Sequence, residues 1–214
     1  MNYSLELDEA AIVILGSFNP AIFHPFWFNA KGLIKSEEAE ACKIEVTHPT
    51  ITIFSMEWCK VQVELNRFVI QATSPLHFDQ IQDLMLGTFS LLESTPVNAL
   101  GINRMMHFKL ESRETIDAFG DMIAPKQVWK DFMHDPGVSS LVMVDPKEKA
   151  KKRTQITIQL SGRLEFGLFI AINNHFDLED NTAKDLVNIL KESWQDSITK
   201  SAEKANLLLD RVKI

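Results

Sequence analysis

Val61-Gln62-Val63-Glu64-Leu65 returns later in the chain as Ile156-Thr157-Ile158-Gln159-Leu160. Each copy is followed by a polar turn and an Arg-plus-apolar pair, Arg67-Phe68 and Arg163-Leu164. Each then runs through a second apolar strand to one tripeptide, His77-Phe78-Asp79 and His175-Phe176-Asp177. Each ends in a helix-period segment, around Asp83-Leu84-Met85 and Asp185-Leu186-Val187. A recurrence of this length reads as a ββα unit present twice. One such unit buries a single sheet face, so two copies are expected to pair into one curved sheet with both helices on the same side. The expectation is an α+β chain in one compact body, with similar antiparallel β-rich halves over about residues 10–93 and 97–211.

Working outward, Ala11-Ile12-Val13-Ile14-Leu15-Gly16 has a buried-strand pattern. Pro20 and Pro25 break the aromatic stretch after it, which predicts an edge or bulged strand there. Residues 44–54, 58–65 and 67–73 read as strands, with a turn at Asn66. Ser74-Pro75 opens a helix whose inward stripe is Phe78, Ile81, Met85, Thr88 and Leu92. Residues 97–110 form a long strand with Leu100, Ile102, Met106, Phe108 and Leu110 on one face. Ser112 opens a short helix around Ile116, Phe119 and Ile123, and another short helix follows Pro125. After the turn Asp135-Pro136-Gly137 comes a strand, Val138 to Val144. Ser161-Gly162 is expected to be a two-residue hairpin turn, and the final helix runs from about Thr182 to Arg211.

The bulk numbers exclude several classes. The 214 residues are 45% hydrophobic and 24% charged, and carry a net charge of −7, which argues against a general nucleic-acid binder, since that needs a basic surface. The basic run Lys147, Lys149, Lys151, Lys152 and Arg153 reads as a solvated hairpin tip. No apolar run approaches the roughly 20 residues of a membrane-spanning helix. An acidic N-terminus and two cysteines without metal-ligand spacing, Cys42 and Cys59, point to a cytoplasmic protein with reduced thiols and no metal or other cofactor.

Three residues of the long strand are candidate ligand contacts. Arg104 shares a face with Leu100, Ile102, Met106 and Phe108, and a guanidinium there must find an acidic partner. It either pairs with an internal Asp or Glu or holds a ligand carboxylate or phosphate. Asn103 and His107 lie on the opposite face and reach the same pocket only through a β-bulge. The aromatics Phe23, Phe26, Trp27 and Phe28 are candidate partner contacts. A terminal helix near 30 residues should also overhang its sheet, exposing Ala205, Leu208, Leu209 and Val212. No catalytic motif is recognisable.

The segment Thr95-Pro96-Val97-Asn98-Ala99-Leu100-Gly101-Ile102-Asn103-Arg104 resembles a strand in a sporadically distributed family of uncharacterised bacterial proteins. In that family an apolar-Gly-apolar-x-Asn-Arg strand follows a sheet and a helix; here Ile102 precedes Asn103-Arg104 where an aromatic residue is expected. The resemblance implies a bacterial or phage origin and brings no activity. The functional expectation is a non-enzymatic protein-binding or assembly module, forming a homo-oligomer or joining a partner with a basic patch. The alternative is a small-anion-binding protein, or an unfamiliar enzyme, with its pocket on the concave sheet face around Arg104.

Overall fold

In the computed structural model, which describes residues 3–145 and 152–211, the first half of the chain contains β1 (Tyr3–Gly16), α1 (Pro25–Ala30), α2 (Ser36–Ala41), β2 (Lys43–His48), β3 (Ile51–Ser55), β4 (Lys60–Glu64), β5 (Arg67–Ala72) and α3 (Phe78–Leu91). The second contains β6 (Val97–Leu110), α4 (Arg113–Ile123), β7 (Ser140–Asp145), β8 (Lys152–Leu160), β9 (Gly167–Asp177) and α5 (Ala183–Asp210). The strands form one antiparallel sheet in the order β2-β3-β4-β5-β1-β6-β9-β8-β7. The α+β class is therefore as expected. Gly16 closes β1 where any Cβ would collide with the Pro96 carbonyl at the start of β6.

All five helices lie on one face. Alternation along the strands sends Ile12, Ile14, Phe68, Ile70, Leu100 and Ile102 to that side, under α3 and the first half of α5. A second core joins Met106, Phe108, Leu168 and Ile170 to Ile116 and Phe119 of α4 and to Ala205 and Leu209 of α5. Ser112 Oγ accepts from Thr115 N and Thr182 Oγ1 from Asp185 N, capping α4 and α5 as read, while Ser74 Oγ accepts from Leu76 N and caps the 3-10 turn Pro75–His77 that leads into α3. These bonds satisfy N–H groups that the first turn leaves free.

Between the two cores runs a polar seam. Arg104 donates from Nε to Asp8 Oδ1 at 2.9 Å and from Nη2 to Asp8 Oδ2 at 2.6 Å. Its Nη1 donates to the Ile198 carbonyl of α5 at 2.8 Å, and its guanidinium lies over the Phe78 ring. Beside it Asn174 Nδ2 donates to Ser201 Oγ at 3.1 Å, and Ser201 Oγ donates to the Ser197 carbonyl at 2.6 Å. Arg104 thus pairs with an internal carboxylate and fixes α5 at mid-length.

Four expectations are corrected. The 23–28 segment is not a strand: Pro25 takes the first position of α1, His24 Nδ1 accepts from Phe26 N, and Phe23 and Phe28 enter the core against Phe68 and Phe54. Residues 44–54 are two strands, because the chain turns after His48. The Ser161-Gly162 turn is longer, since Ser161 Oγ accepts from the backbone of both Arg163 and Leu164 and β9 begins only at Gly167. The helix overhang is absent. Twenty-eight residues of α5 span about 42 Å at about 1.5 Å each, while the 14 residues of β6 span about 48 Å at about 3.4 Å each. The strand carries the helix to its end, so Ala205 and Leu209 are buried and Leu208 is half-buried.

Candidate functional site

The face away from the helices is built from the other half of each strand's alternation. Register sets its rows. Val13, Gly101, His175 and Arg153 lie side by side across β1, β6, β9 and β8, and Ala11, Asn103, Asn173 and Gln155 form the next row. At the centre the side chains are small, so Ala11, Val13, Ala99 and Gly101 floor a cleft of about 330 Å³. Arg67, Gln71, Asn103, Met105, Asn173 and His175 stand around it. That volume lies at the small end of the range typical of ligand sites, about 300–1,000 Å³.

Polar groups converge above Gly101. A Cβ there would lie 3.4 Å from Asn103 Nδ2 and 3.6 Å from Asn173 Nδ2. Asn103 Nδ2 makes only long bonds, 3.4 Å each, to the Ala11 and Gly101 carbonyls. Asn173 Oδ1 is buried without a hydrogen-bond partner, a condition that is costly for a polar atom. At the rim His175 Nε2 lies 2.8 Å from both Arg153 Nη2 and Asp177 Oδ1. It can accept from the guanidinium or donate to the carboxylate, but not both through one nitrogen.

A second polar group closes the far end of the same face. Glu9 is buried, accepts from Gln71 Nε2 at 2.7 Å, and pairs with Arg163. His107 Nδ1 is 2.8 Å from Ser161 Oγ, and its ring tilts against Phe169. The 161–166 turn thus ties itself to the sheet through Ser161 and Arg163. Burial, and then the Arg163 guanidinium, hold His107 below the ordinary imidazole value of 6.5, against an opposing pull from Glu9.

The structure separates the residues singled out in sequence. Asn103 lines the cleft, His107 belongs to the end cluster, and Arg104 is on the opposite face beneath α5. The β1–β6 register shifts twice: between Leu5 and Leu7, where Glu6 of β1 is the extra residue opposite Phe108 and His107, and between Leu15 and Gly16, where Asn98 of β6 is the extra residue. Residues 103–107 of β6 keep their alternation, so no bulge brings the three together. A pocket centred on Arg104 is therefore replaced by one on the other side of the sheet. Of the aromatic candidates, Phe23 and Phe28 are core, Trp27 is half-buried and Phe26 alone is exposed. Leu209 is core, Leu208 is half-buried, and Val212 lies outside the described residues, as do Lys147, Lys149 and Lys151. His77 precedes α3, whereas His175 and Asp177 are inside β9, so the two tripeptides do not occupy matching positions.

Arg67 and His175 stood out in the sequence only as markers of the repeat, and Gln71 and Asn173 not at all, because only strand pairing brings the four to Asn103. Gly101 carried a signal: a glycine inside a strand marks a close approach or a missing wall. Among the described residues no group of three or more His, Cys, Asp or Glu is arranged to hold a metal ion, and no helix is long and apolar enough to cross a membrane. Burial and Glu38 push the Cys42 thiol up to about 11, and burial raises Cys59 as well, which suits protonated thiols rather than nucleophiles. No protein-family model matches the chain, and no curated protein is significantly similar to it.

His107 gives a pH prediction. With its folded value depressed, the native state binds fewer protons than the unfolded chain just below 6.5. The contribution is complete above that value and is lost as pH falls through the folded one. Each unit of depression is worth about 1.4 kcal/mol. Thermal unfolding between about pH 7 and pH 5 should therefore show His107→Gln losing less stability on acidification than the parent; equal losses would remove His107 as the source.

Proposed function

We propose that this chain is a non-enzymatic binding and assembly protein that joins a second copy of itself through β7. The contrast between the two sheet edges carries the reading. β2 carries Lys43, Glu45 and His48, and its register shifts between Ile44 and Val46. Charge and bulges are the means by which an edge resists strand addition. β7 reads Ser140-Leu141-Val142-Met143-Val144-Asp145, in unbroken register with β8 and with its single charge at the end. Val142, Met143 and Val144 are 50%, 57% and 47% exposed, so apolar side chains stand out from both faces of this edge.

The neighbouring turn extends the patch. Phe132 is 80% exposed, and Val128, Trp129 and Met133 are exposed beside it. Trp129 and Met133 line a recess of about 260 Å³ together with Val138 and Leu141. Contiguous apolar surface of this kind marks protein contact, and an open strand adds backbone hydrogen bonds to it. Identity of the partner follows from self-complementarity. A two-fold axis normal to the sheet at Val142 sets Val142 against Val142, Leu141 against Met143 and Ser140 against Val144, with Asp145 outside the paired segment. Closed two-fold pairing of this type is the commonest form of homo-oligomer.

Light scattering over a range of concentrations tests the reading. The parent should form dimers, and Val142→Lys should be monomeric with an unchanged circular-dichroism spectrum, because a lysine on an exposed edge opposes strand addition without entering the core. A parent that stays monomeric, or a lysine variant that still dimerises, would overturn it.

We also propose that the two sides of the sheet descend from one duplicated unit. The support is connectivity. Each side starts with a long strand, β1 or β6, continues into an antiparallel meander whose last strand returns beside the first, and ends in a helix, α3 or α5. Four strands make the meander on one side and three on the other. A chain cut between Glu93 and Ser94 should then reassemble from its two pieces to the parent spectrum. Pieces that stay unfolded when mixed would argue against separable units.

A further inference from the structure

We infer that the cleft on the open sheet face is a binding site for a small monocarboxylate, with Arg67 as its charge partner and the Asn103 and Asn173 amides as its neutral contacts. Three observations point to an organic acid. The first is the recess itself, held open by Gly101 in the middle of a strand where a side chain would ordinarily stand. The second is the unspent hydrogen-bonding capacity around it. The two amide nitrogens approach the same empty position above Gly101, Asn103 holds only long bonds, and Asn173 keeps a buried oxygen without a partner. Amides in this condition are completed by a group that both accepts and donates, such as a hydroxyl or an amide.

The third observation is charge. Arg67 makes no ion pair with any described residue, and no carboxylate lines the cleft, although the chain as a whole carries −7. The cleft is therefore a local positive site in an acidic protein. Its other basic neighbour, Arg153, is already engaged with His175 and Asp177 at the rim. One free guanidinium balances one negative charge. A carboxylate supplies that charge in the planar form a guanidinium grips through two parallel hydrogen bonds, whereas a phosphate monoester brings about −1.5 to −2. The cleft of about 330 Å³ has ample room for such an acid.

Two substitutions separate the parts of the site without disturbing the fold. Arg67→Gln removes an exposed cation from the end of β5. Gly101→Ala fills the recess, and its nearest neighbours at 3.4–3.7 Å are at ordinary contact distance, so the strand accommodates it. The probes are acetate, lactate and N-acetylglycine, with acetamide as the uncharged control and inorganic phosphate as the multiply charged one. Isothermal titration at low ionic strength should show N-acetylglycine or lactate binding more tightly than acetate, with acetamide and phosphate silent. Loss of a charge-assisted contact should weaken binding by about 10- to 100-fold in Arg67→Gln, and Gly101→Ala should weaken it comparably. Val142→Lys should bind like the parent, which keeps this test independent of assembly through β7. No binding of any carboxylate, phosphate binding in preference to them, or binding retained in either cleft variant would overturn the inference.

Discussion

A single buried ion pair sets the relation between sheet and helices. Arg104 and Asp8 sit diagonally across the β6–β1 ladder on the helix side, both largely out of solvent, and the third guanidinium nitrogen, Nη1, donates to the backbone of α5. Two charges in such a place are expensive to desolvate, and what holds them is mutual hydrogen bonding that leaves neither unpaired. The pair lies where one hydrophobic core gives way to the other. An apolar contact there would let α5 slide along its own axis. A carbonyl accepting from a fixed guanidinium defines one position, so both ends of the helix fall into register with their cores.

The rest of the molecule follows from putting every helix on that one side. The opposite face of a nine-stranded sheet is left to its own side chains, and these grade from small at the centre to charged at the ends. Small residues at the centre produce a recess where larger ones would have produced a flat surface. Charged residues at the ends are neutralised locally, by Glu9 with Arg163 and by Asp177 with Arg153 and His175. The sheet edges differ for a similar reason. The β2 edge meets solvent with Lys43, Glu45 and His48 interleaved with exposed Ile44 and Val46, while the β7 edge has no charge before Asp145 and continues the apolar surface begun by Trp129 and Phe132.

Local pattern made much of this fold legible. The strand at 97–110 and the starts of α4, α5 and the 3-10 turn ahead of α3 were readable because alternation and Ser or Thr caps act over a few residues. Arg104 was legible too, since its place in the alternation demanded an acid, although nothing nearby in sequence pointed to Asp8. The aromatic segment at 23–28 misled because prolines that interrupt a strand also suit the first turn of a helix, and the side chains of Phe23 and Phe28 were needed in the core. The helix overhang failed on a length taken from typical strands, which β6 far exceeds. The cleft was hardly visible in advance, for it depends on Asn103 meeting Asn173 and on Arg67 lying free two strands away.

The most direct test of the central claim is equilibrium unfolding of three variants at the seam. Arg104→Met should cost about 3–5 kcal/mol, because it strands the Asp8 carboxylate beneath α5, and Asp8→Leu should cost a similar amount. The double variant should recover most of that loss, as apolar replacements of a buried pair usually do. A single Arg104→Met variant as stable as the parent, with α5 undisturbed, would show that the ion pair does not hold the helix to the sheet.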